Sequence, residues 1–580
     1  MANGSQAPWI GLITKNIREE DGWIVISGLC FTRFIGGRGP LDTSRLGLKL
    51  ESGKGKAGIS FGKRFGVPGP KNSRVNSYVI KLDLGSAREL DIQNKLILRY
   101  QDGRTAGDIE AAGSAEATSD IEAADSAEET GAFERGGNSN CLEGFVAYDA
   151  FDRRTGHNKN SRLFIHDGIT CYLRQNKYNR TVFTVRDTNR YDYPEEQKRI
   201  EKARKNAKKL EDRDIIFMYE KHCAKYEESA SVLYEKLIDM GCDNAYFVTD
   251  TSLPAVQKLD GKYRKNIIEK DSDRHLEYYF AAKKFISTET VDHALQLRIA
   301  NKAVMDKITT EPLSYVFLQH GPTYMVSLNK ELRSGFLKKP WYKLHKTVVS
   351  SELEAQHFIE LGGMERDDLY ITGMAKFDRA FRHDGADRIV IMPTWRRWET
   401  NQAREDIRQT NYYKMIRLMF DSVPEELRDR VTVLPHPLMA ETFKNIEAGS
   451  EDAGLAERVL VTSDYESVLR DCELLITDYS SISYDAYYRG AKVVFYWAEK
   501  DECMTHYGEG THLMLNMDNV FGPVAMDGAG IRRAIEETYG KEQDPLYLER
   551  YRKIIEFHDG KNSERIIQHL IKDGVINSES

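Results

Sequence analysis

The sequence predicts an α/β protein in which two doubly wound domains face a cleft and a β-rich domain precedes them. From residue 214 onward, short apolar runs alternate with helical segments, which is the pattern of βαβ units in parallel sheets. Before residue 194 the apolar runs are short or alternating and are separated by Gly, Asn and Asp turns, as is typical of an all-β domain.

The chain has 580 residues, more than one hydrophobic core accommodates. A polar stretch with a glycine separates Phe381 from Ile389 and predicts a boundary between the two α/β domains. The predicted parts are a β-rich domain over 1–193, a charged linker helix over 194–213, α/β domains over 214–385 and 386–573, and a tail over 574–580. Within the first part, the polar tract 103–137 repeats itself and predicts a disordered loop.

Apolar runs identify the strands of the two α/β domains. The predicted strands cover 215–219, 245–248, 316–319, 347–350, 369–372, 389–392, 431–434, 459–461, 474–477 and 493–496, and residues 278–285 are predicted to form a helix and a strand. Helical segments fill most of the gaps, so both sheets are expected to be parallel.

Composition excludes several classes of protein. The net charge of -7 gives no overall attraction to nucleic acid, so a nucleic-acid partner is not expected. The seven cysteines are scattered and never form Cys-x-x-Cys, which argues against a disulfide framework or zinc module and favours a reducing cytoplasm. The start lacks the pattern of a signal peptide, and nowhere do about 18 apolar residues run together, so the chain is expected to be neither secreted nor membrane-spanning.

The linker is unusually basic. Seven lysines and arginines fall between residues 198 and 209, beside a thin apolar stripe of Ile200, Ala203, Ala207 and Leu210. We interpret it as a solvated connecting helix. A basic helix that rests on anionic lipid headgroups is the alternative.

Polar side chains that suit phosphate chemistry follow four of the predicted strands. His320, Arg396 and His436 each come just after a strand, where open α/β sheets bind their ligands. After the strand 474–477, Ser480 and Ser481 open a helix whose free NH groups suit a phosphate. Together these residues predict a cleft enzyme that acts on a diphosphate linkage.

Each of these residues also has a simpler explanation. His320 can accept a proton from a hydroxyl near pH 7, and Gly321 lets a substrate approach, but a histidine satisfied by a neighbouring carbonyl is the alternative. Arg396 offers a forked donor set for phosphate oxygens, although a lone arginine after a strand is usually a surface residue. Ser480 and Ser481 are equally suited to be ordinary helix caps.

Two common nucleotide-binding motifs are absent from the predicted α/β domains. Residues 214–573 contain neither a Gly-x-x-x-x-Gly-Lys-Ser/Thr loop nor a Gly-x-Gly-x-x-Gly turn after a strand. Asp271 and Asp273 form an Asp-x-Asp pair of the kind that holds a metal under a nucleotide-sugar. Because Asp212 and Asp214 have the same form in the charged linker, this match is close to chance.

Five segments in a fixed order carry a resemblance to a known family. They are Val316-Phe-Leu-Gln-His-Gly321, Tyr370-Ile-Thr-Gly-Met-Ala-Lys-Phe-Asp378, Met392-Pro-Thr-Trp-Arg396, Leu434-Pro-His-Pro437 and Leu475-Ile-Thr-Asp-Tyr-Ser-Ser481. With these segments, residues 214–573 resemble the CDP-glycerol glycerophosphotransferase family, the bacterial teichoic-acid and capsule polymerases. That resemblance implies the glycosyltransferase B-type fold, with two Rossmann-like domains for acceptor and CDP-donor.

The resemblance also implies roles for matching residues. His320 corresponds to the general base that deprotonates the acceptor hydroxyl, and His436 is the second catalytic residue, which with Arg396 holds the diphosphate. Ser480 and Ser481 correspond to a phosphate-binding turn, and Ser463 to a position near the nucleotide. Asp478 and Asp485 belong to the same motif in a structural or ribose-facing role. No metal is expected to be required to hold the nucleotide, because Arg396, His436 and the helix dipole already supply positive charge, and no other cofactor is expected.

The implied reaction moves a polyol phosphate, foremost glycerol phosphate, from CDP-glycerol to a hydroxyl of a growing teichoic-acid-like or capsular polymer, and CMP leaves. The implied partners are the CDP-polyol donor, a polymer or lipid-linked acceptor and, peripherally, the inner face of the cell membrane. A nucleotide-sugar glycosyltransferase or epimerase of the same fold is an alternative, because two such domains around a cleft host many donors. A non-catalytic scaffold is another.

Overall fold

The chain divides into two compact units in a computed structural model of the protein. One unit comprises Met1–Lys202 and Arg298–Thr310, and the other comprises Ala203–Leu297 and Glu311–Ser580. The domain boundaries expected from the sequence stay predictions. The structure describes residues 8–34, 46–50, 56–65, 74–87, 93–101, 134–135, 141–145, 151–152, 157–158, 163–175, 181–295, 301–328, 338–399, 402–403, 406–436, 439, 443, 453–462, 464–507 and 510–577.

Antiparallel strands form the first unit. Its strands are β1 (Pro8–Glu20), β2 (Trp23–Phe34), β3 (Leu46–Leu50), β4 (Ala57–Phe65), β5 (Arg74–Asp83), β6 (Gln93–Gln101), β7 (Glu134–Arg135), β8 (Cys141–Phe145), β9 (Phe151–Asp152), β10 (His157–Asn158), β11 (Phe164–His166), β12 (Ile169–Gln175) and β13 (Thr181–Asp187). One sheet has the order β1-β2-β5-β4, and the other has the order β7-β8-β6-β13-β12-β10-β9, with β3 on β6 and β11 on β12. Buried side chains such as Ile24, Ile80 and Phe183 belong to the core of this unit.

Most of the polar tract 103–137 lies outside the described residues. The exception is Glu134–Arg135, which pairs with β8 as a short strand, so these two residues are not in the disordered loop that the composition predicted. A segment distant in sequence also belongs to this unit, because the Asn301 side chain donates to Gln197 Oε1 at 2.7 Å.

Helices flank the strands of the second unit. The described α-helices of the whole chain are α1 (Pro194–Ala207), α2 (Ser229–Asp239), α3 (Pro254–Gln257), α4 (Gly261–Arg264), α5 (Asp273–Ala281), α6 (Lys302–Thr310), α7 (Glu352–Glu360), α8 (Asn411–Ser422), α9 (Ala453–Ala456), α10 (Tyr465–Arg470), α11 (Ile482–Tyr488), α12 (Lys500–Thr505), α13 (Gly528–Thr538), α14 (Pro545–Ile554) and α15 (Asn562–Lys572). The expected linker helix is found as α1, followed by a 3₁₀ segment over Lys208–Arg213. Among the described residues, none of the helices is both long and apolar enough to cross a lipid bilayer.

The first half of the second unit contains a parallel sheet. Its strands are β14 (Ile216–Tyr219), β15 (Ala245–Thr249), β16 (Ile267–Glu269), β17 (Lys284–Ser287), β18 (Ser314–Phe317), β19 (Leu344–Val349) and β20 (Leu369–Ile371). They are ordered β16-β15-β14-β17-β18-β19-β20. The strands are nearly continuous apolar runs because helices cover both faces of such a sheet.

A second parallel sheet follows along the chain. Its strands are β21 (Arg388–Ile391), β22 (Val431–Val433), β23 (Cys472–Thr477), β24 (Lys492–Tyr496) and β25 (Val524–Ala525), ordered β22-β21-β23-β24-β25. All six residues of β23 are buried. The α/β class is therefore seen directly in two parallel sheets.

Two details of the strand prediction differ from the structure. The sequence predicts a strand over 459–461, but only Val459 bridges to Val433 and the segment does not form a strand. The short strands β16 and β25 escape the prediction, because three and two residues are too few to show a periodicity.

The two halves of the second unit share a hydrophobic core. Tyr324, Met374 and Phe377 come from the first half and lie in one buried cluster with Tyr484 and Phe495 of the second half. Burial of these large side chains fixes the position of one parallel sheet against the other.

Candidate functional site

Each parallel sheet has one point at which its strand order reverses. In the first sheet the neighbours β14 and β17 flank this point, and in the second sheet the neighbours β21 and β23 do. Ligands of open α/β sheets bind outside the carboxyl ends of the strands at such switch points. The loops that follow these strands, together with the loop after β18, therefore form the candidate site.

His320 follows β18 and is held by a buried carboxylate. Its Nδ1 lies 3.2 Å from Glu228 Oε2, while 49% of the His320 side chain is exposed and only 9% of the Glu228 side chain. An ionised carboxylate only accepts hydrogen bonds, so Nδ1 carries the proton and Nε2 is left with the lone pair. Glu228 thus orients an imidazole that is able to accept a proton.

The charge of Glu228 is maintained by its neighbours. Burial alone would raise the pKa of this carboxyl, but His320, Lys221 and Lys376 outweigh burial and lower the pKa well below its usual value. Lys221 Nζ lies 2.9 Å from Glu228 Oε1. The carboxylate is therefore ionised at neutral pH, as the orientation of His320 requires.

A second buried carboxylate holds the loop that carries His320. Gln319 has a φ of 60°, a left-handed conformation that costs a residue other than glycine about 1–3 kcal/mol. Glu354 Oε1 accepts hydrogen bonds from Gln319 Nε2 at 3.1 Å and from the Thr323 backbone at 2.6 Å, and Oε2 accepts from the Ser350 backbone. Burial raises the pKa of Glu354. This network compensates for the strain just before His320.

The His320 loop lies directly against the second half of the unit. A Cβ atom on Gly321 would stand 3.7 Å from Ser481 Oγ and 3.9 Å from Asp485 Oδ2. Lys376 Nζ donates to the His320 carbonyl at 2.6 Å and pairs with Asp485 Oδ1 at 2.6 Å. The structure thus brings His320 together with the turn that contains Ser481.

The turn after β23 has the expected layout. Ser481 is exposed and precedes α11 with helical backbone angles and no capping bond from its side chain, whereas Ser480 is half-buried and its carbonyl accepts from the Ser483 backbone and hydroxyl. Asp485 is 7% exposed and paired with Lys376. Ser463, also predicted for this site, lies outside the described residues.

Arg396 and Asp478 form a buried pair, which differs from the role expected for Arg396. Each side chain is 1% exposed, and Arg396 Nη1 lies 2.9 Å from Asp478 Oδ2. Asp478 Oδ1 accepts from the Thr394 backbone and hydroxyl at 2.9 and 2.7 Å. The guanidinium is turned into the protein toward its carboxylate partner, so this geometry does not favour a direct contact with a diphosphate. A buried charge needs such a partner.

His436 stands on the next loop of the second sheet. Its ring stacks on Trp395 with the centroids 4.7 Å apart and the planes 9° apart. Burial lowers the pKa of His436, which keeps the imidazole neutral at pH 7. Trp395 lies between Thr394 and Arg396, which both contact Asp478. His436 is therefore next to the loop that binds the Asp478 side chain.

A cavity of about 480 Å³ borders the candidate site. Lys376 and Arg379 line it from the first half of the unit, and Asp464 and Arg470 line it from the second half. This volume falls in the range of small-molecule sites. Because Lys376 also contacts the His320 loop, the cavity and the candidate base are neighbours.

Several side chains at the site escape prediction from the sequence. Glu228 and Lys376 contact His320, and His222, Glu289 and His293 lie at the switch point of the first sheet. His320 is predicted because it comes just after a strand. His222 and Glu289 satisfy the same criterion, because they follow β14 and β17. Lys376 stands inside one of the five segments that carry the family resemblance, although the sequence alone gives it no role.

Comparison with known proteins identifies the family. Residues 173–572 match the family described as CDP-glycerol:poly(glycerophosphate) glycerophosphotransferase. The chain belongs to this family. The resemblance inferred from the five segments is thereby confirmed, and the match begins before residue 214, within β12.

Individual relatives are more distant than the family itself. The minor teichoic acid biosynthesis protein GgaB of Bacillus subtilis (strain 168) is 22% identical over 281 residues, which are 42% of this chain and 30% of GgaB. The matched part of the chain thus spans less than a third of that relative. The wall teichoic acid polymerase TagF is 15% identical with a TM-score of 0.46, covering 65% of this chain and 94% of the TagF chain. A TagF variant soaked with CDPG is 14% identical with a TM-score of 0.45, covering 66% and 98%.

Proposed function

We propose that this protein transfers glycerol phosphate from CDP-glycerol to a hydroxyl of a growing teichoic-acid-like or capsular polymer and releases CMP. Family membership supports the donor and the reaction class. The observation that carries the proposal is the placement of His320, oriented by Glu228, beside the turn that contains Ser481. One side of the site offers a proton acceptor, and the other offers hydroxyl and backbone donors for phosphate.

In the proposed mechanism His320 Nε2 removes the proton of the acceptor hydroxyl. The acceptor oxygen forms a bond to the glycerol-bearing phosphorus, and the bond from that phosphorus to the oxygen of the CMP moiety breaks. Phosphoryl transfer of this kind depends chiefly on positioning and on neutralising charge. Ser480, Ser481 and the start of α11 would hold the phosphates, and Lys376 supplies a nearby positive charge.

We also propose a location for the donor and for the protein. The cavity bordered by Lys376, Arg379 and Asp464 would receive the nucleoside part of the donor. Ser463 directly precedes Asp464 in the sequence. The two parallel sheets would act as the acceptor and donor domains of a glycosyltransferase B-type fold. The lipid-linked acceptor would be met at the inner face of the cell membrane, with the basic exposed side of α1 toward the headgroups.

The test is to incubate purified protein with CDP-glycerol, CDP-ribitol and a panel of nucleotide-sugars in the presence of a crude polymer acceptor. Release of CMP from CDP-glycerol is the expected result. Release of CDP or UDP would identify glycosyl transfer instead, and no release from any donor would support a scaffold.

His436→Ala is expected to weaken donor binding or transition-state stabilisation. A neutral imidazole can donate one hydrogen bond to a phosphate oxygen, and loss of a bond to a charged group lowers kcat/KM by about tenfold to a hundredfold. Steady-state kinetics with CDP-glycerol measure the change. His436→Phe is the matched control, because it keeps the stacking on Trp395 without the N–H donor. Wild-type kinetics in the phenylalanine variant would mean that stacking, and not phosphate binding, is the role of His436.

Glu228→Gln is expected to lower kcat about tenfold to a hundredfold with little change in KM. The substitution keeps the size of the side chain but removes the charge that fixes the orientation of the His320 ring. Kinetics with the acceptor varied separate kcat from KM. A raised acceptor KM with an unchanged kcat would contradict a positioning role for Glu228.

A further inference from the structure

Three side chains that the proposed mechanism does not use converge at the switch point of the first sheet. His222 follows β14, and Glu289 and His293 follow β17. Each offers one ligand atom, and these atoms all lie within 4.8 Å of one another. Glu289 Oε1 is 3.1 Å from His293 Nδ1 and 3.6 Å from His222 Nε2. Two imidazole nitrogens thus lie close to one carboxylate oxygen, and the two rings stack on each other with their centroids 4.5 Å apart.

These distances suit a metal ion. Ligand atoms that each stand about 2.0–2.2 Å from a metal are separated by roughly 3.0–3.4 Å along the edges of an octahedron or tetrahedron. The separations of 3.1 and 3.6 Å from Glu289 Oε1 are close to this range, and the half-exposed His222 ring would turn out of its stack on His293 so that both nitrogens face one ion. Two histidines and one carboxylate select first-row transition metals, whereas magnesium prefers oxygen ligands.

The surrounding residues hold Glu289 and His293 in place. The Glu289 carbonyl accepts hydrogen bonds from the hydroxyls of Tyr315 at 2.8 Å and Ser287, and the Tyr219 hydroxyl donates to the adjacent Thr290 carbonyl at 2.6 Å. At the other end of the same turn, the Ala294 carbonyl accepts from His275 Nε2 at 2.8 Å and lies 3.1 Å from the Cys223 thiol. Outer contacts of this kind orient metal ligands before the ion arrives.

The backbone that presents His222 is strained. Lys221, His222 and Cys223 have φ angles of 42°, 55° and 57°, so three consecutive residues other than glycine are in the left-handed region. Each such residue destabilises the fold by about 1–3 kcal/mol. The His222 backbone NH donates to Glu289 Oε2, which ties the strained segment to the carboxylate. Strained backbone conformations persist only where the surrounding structure stabilises them, and they are most common at functional sites.

One side of the cluster is open. The Glu289 side chain is 6% exposed, whereas the His293 and His222 side chains are 23% and 45% exposed. His320 Nε2 lies 3.9 Å from Glu289 Oε1, so the cluster borders the candidate base. Three protein ligands with an open side leave coordination positions for a water or substrate oxygen.

We propose that His222, Glu289 and His293 bind one divalent first-row transition-metal ion, with open positions for an oxygen ligand on the side of His320. This binding does not rest on the proposed function. The alternative is a metal-free network in which protonated histidine pairs with Glu289, and the experiment below distinguishes the two. The expectation that no metal is needed to hold the nucleotide concerns the other sheet.

The test is a titration of the tag-free, chelator-stripped full chain with Co²⁺, followed by visible absorption spectroscopy and by displacement with Zn²⁺. One Co²⁺ per chain with a visible ligand-field band, displaced by Zn²⁺, is expected. The double variant His222→Ala/His293→Ala should lose the band. Glu289→Gln keeps the side-chain shape but removes the charged ligand. It should weaken Co²⁺ affinity by more than about tenfold, because even the loss of a residue that only hydrogen-bonds to a metal ligand has an effect of that size.

The matched control is His383→Ala/His512→Ala, which removes the same number of histidines from exposed positions. It should bind Co²⁺ like the wild type, and thermal unfolding should show that all variants are folded. Absence of stoichiometric binding to the wild type would overturn the proposal. So would an unchanged band in the His222→Ala/His293→Ala variant, and the cluster would then be a hydrogen-bond network.

Discussion

His320→Ala is expected to lower kcat for glycerol phosphate transfer by about 10²–10⁴-fold, the usual contribution of a general base. The variant should fold normally, because half of the His320 side chain is exposed and Glu228 keeps Lys221 as a partner. Donor binding should be little changed, since the proposed role of His320 concerns the acceptor hydroxyl. Single-turnover release of CMP and direct binding of CDP-glycerol measure the two effects separately.

His383→Ala serves as the matched control for this experiment. His383 is also about half exposed and also has Nδ1 beside a carboxylate, at 2.8 Å from Asp471, but it lies at the amino end of β23, opposite the carboxyl ends that form the candidate site. Its replacement should leave transfer unchanged. Wild-type turnover in His320→Ala, or an equal loss in both variants, would show that His320 is not the base.

Arg396→Ala is expected to destabilise the second half of the unit by about 3–5 kcal/mol. The substitution leaves the Asp478 carboxylate, which is 1% exposed, without its charged partner. Thermal and denaturant unfolding measure the loss. The double variant Arg396→Met/Asp478→Asn should recover most of it, because the amide oxygen introduced at position 478 would still accept from the Thr394 backbone and neither of the two fully buried positions would carry a charge.

Arg430→Ala is the control for Arg396. Arg430 forms an ion pair with Asp387 at 2.9 Å on the surface, where water already solvates both charges. Its loss should not change unfolding measurably. If Arg396→Ala unfolds like the wild type but binds CDP-glycerol weakly, the diphosphate role predicted from the sequence is correct after all.

The parallel sheets could be predicted because their strands are buried on both faces. Runs such as Leu474 to Ile476 remain apolar without interruption and cannot be mistaken for a surface segment. The sequence contains less information about very short strands. β25 has two residues and is defined by its hydrogen bonds to β24, not by a pattern of its own. Residues 459–461 show the opposite case: they form an apolar run, but only Val459 pairs with a neighbouring strand.

The positions of His320 and of the turn with Ser481 could be predicted, since both directly follow a short, uninterrupted apolar run. The partners of these residues depend on which strands are neighbours, and the sequence does not show that order. His222 and Glu289 are 67 positions apart, yet they meet because β14 and β17 are adjacent. The same limitation applies to Arg396. Its carboxylate partner Asp478 directly follows the neighbouring strand β23, and the sequence around a lone arginine after a strand does not indicate that it is buried.

Lys376 has a consequence for motion within the second unit. One ammonium group joins the carbonyl of His320 to the carboxylate of Asp485, so it acts as a mechanical link between the two sheets. If the sheets separate to admit a donor, this link must lengthen or break, and the peptide carrying the imidazole is released at the same moment. Separation of the sheets would therefore be coupled to the position of the His320 base through Lys376.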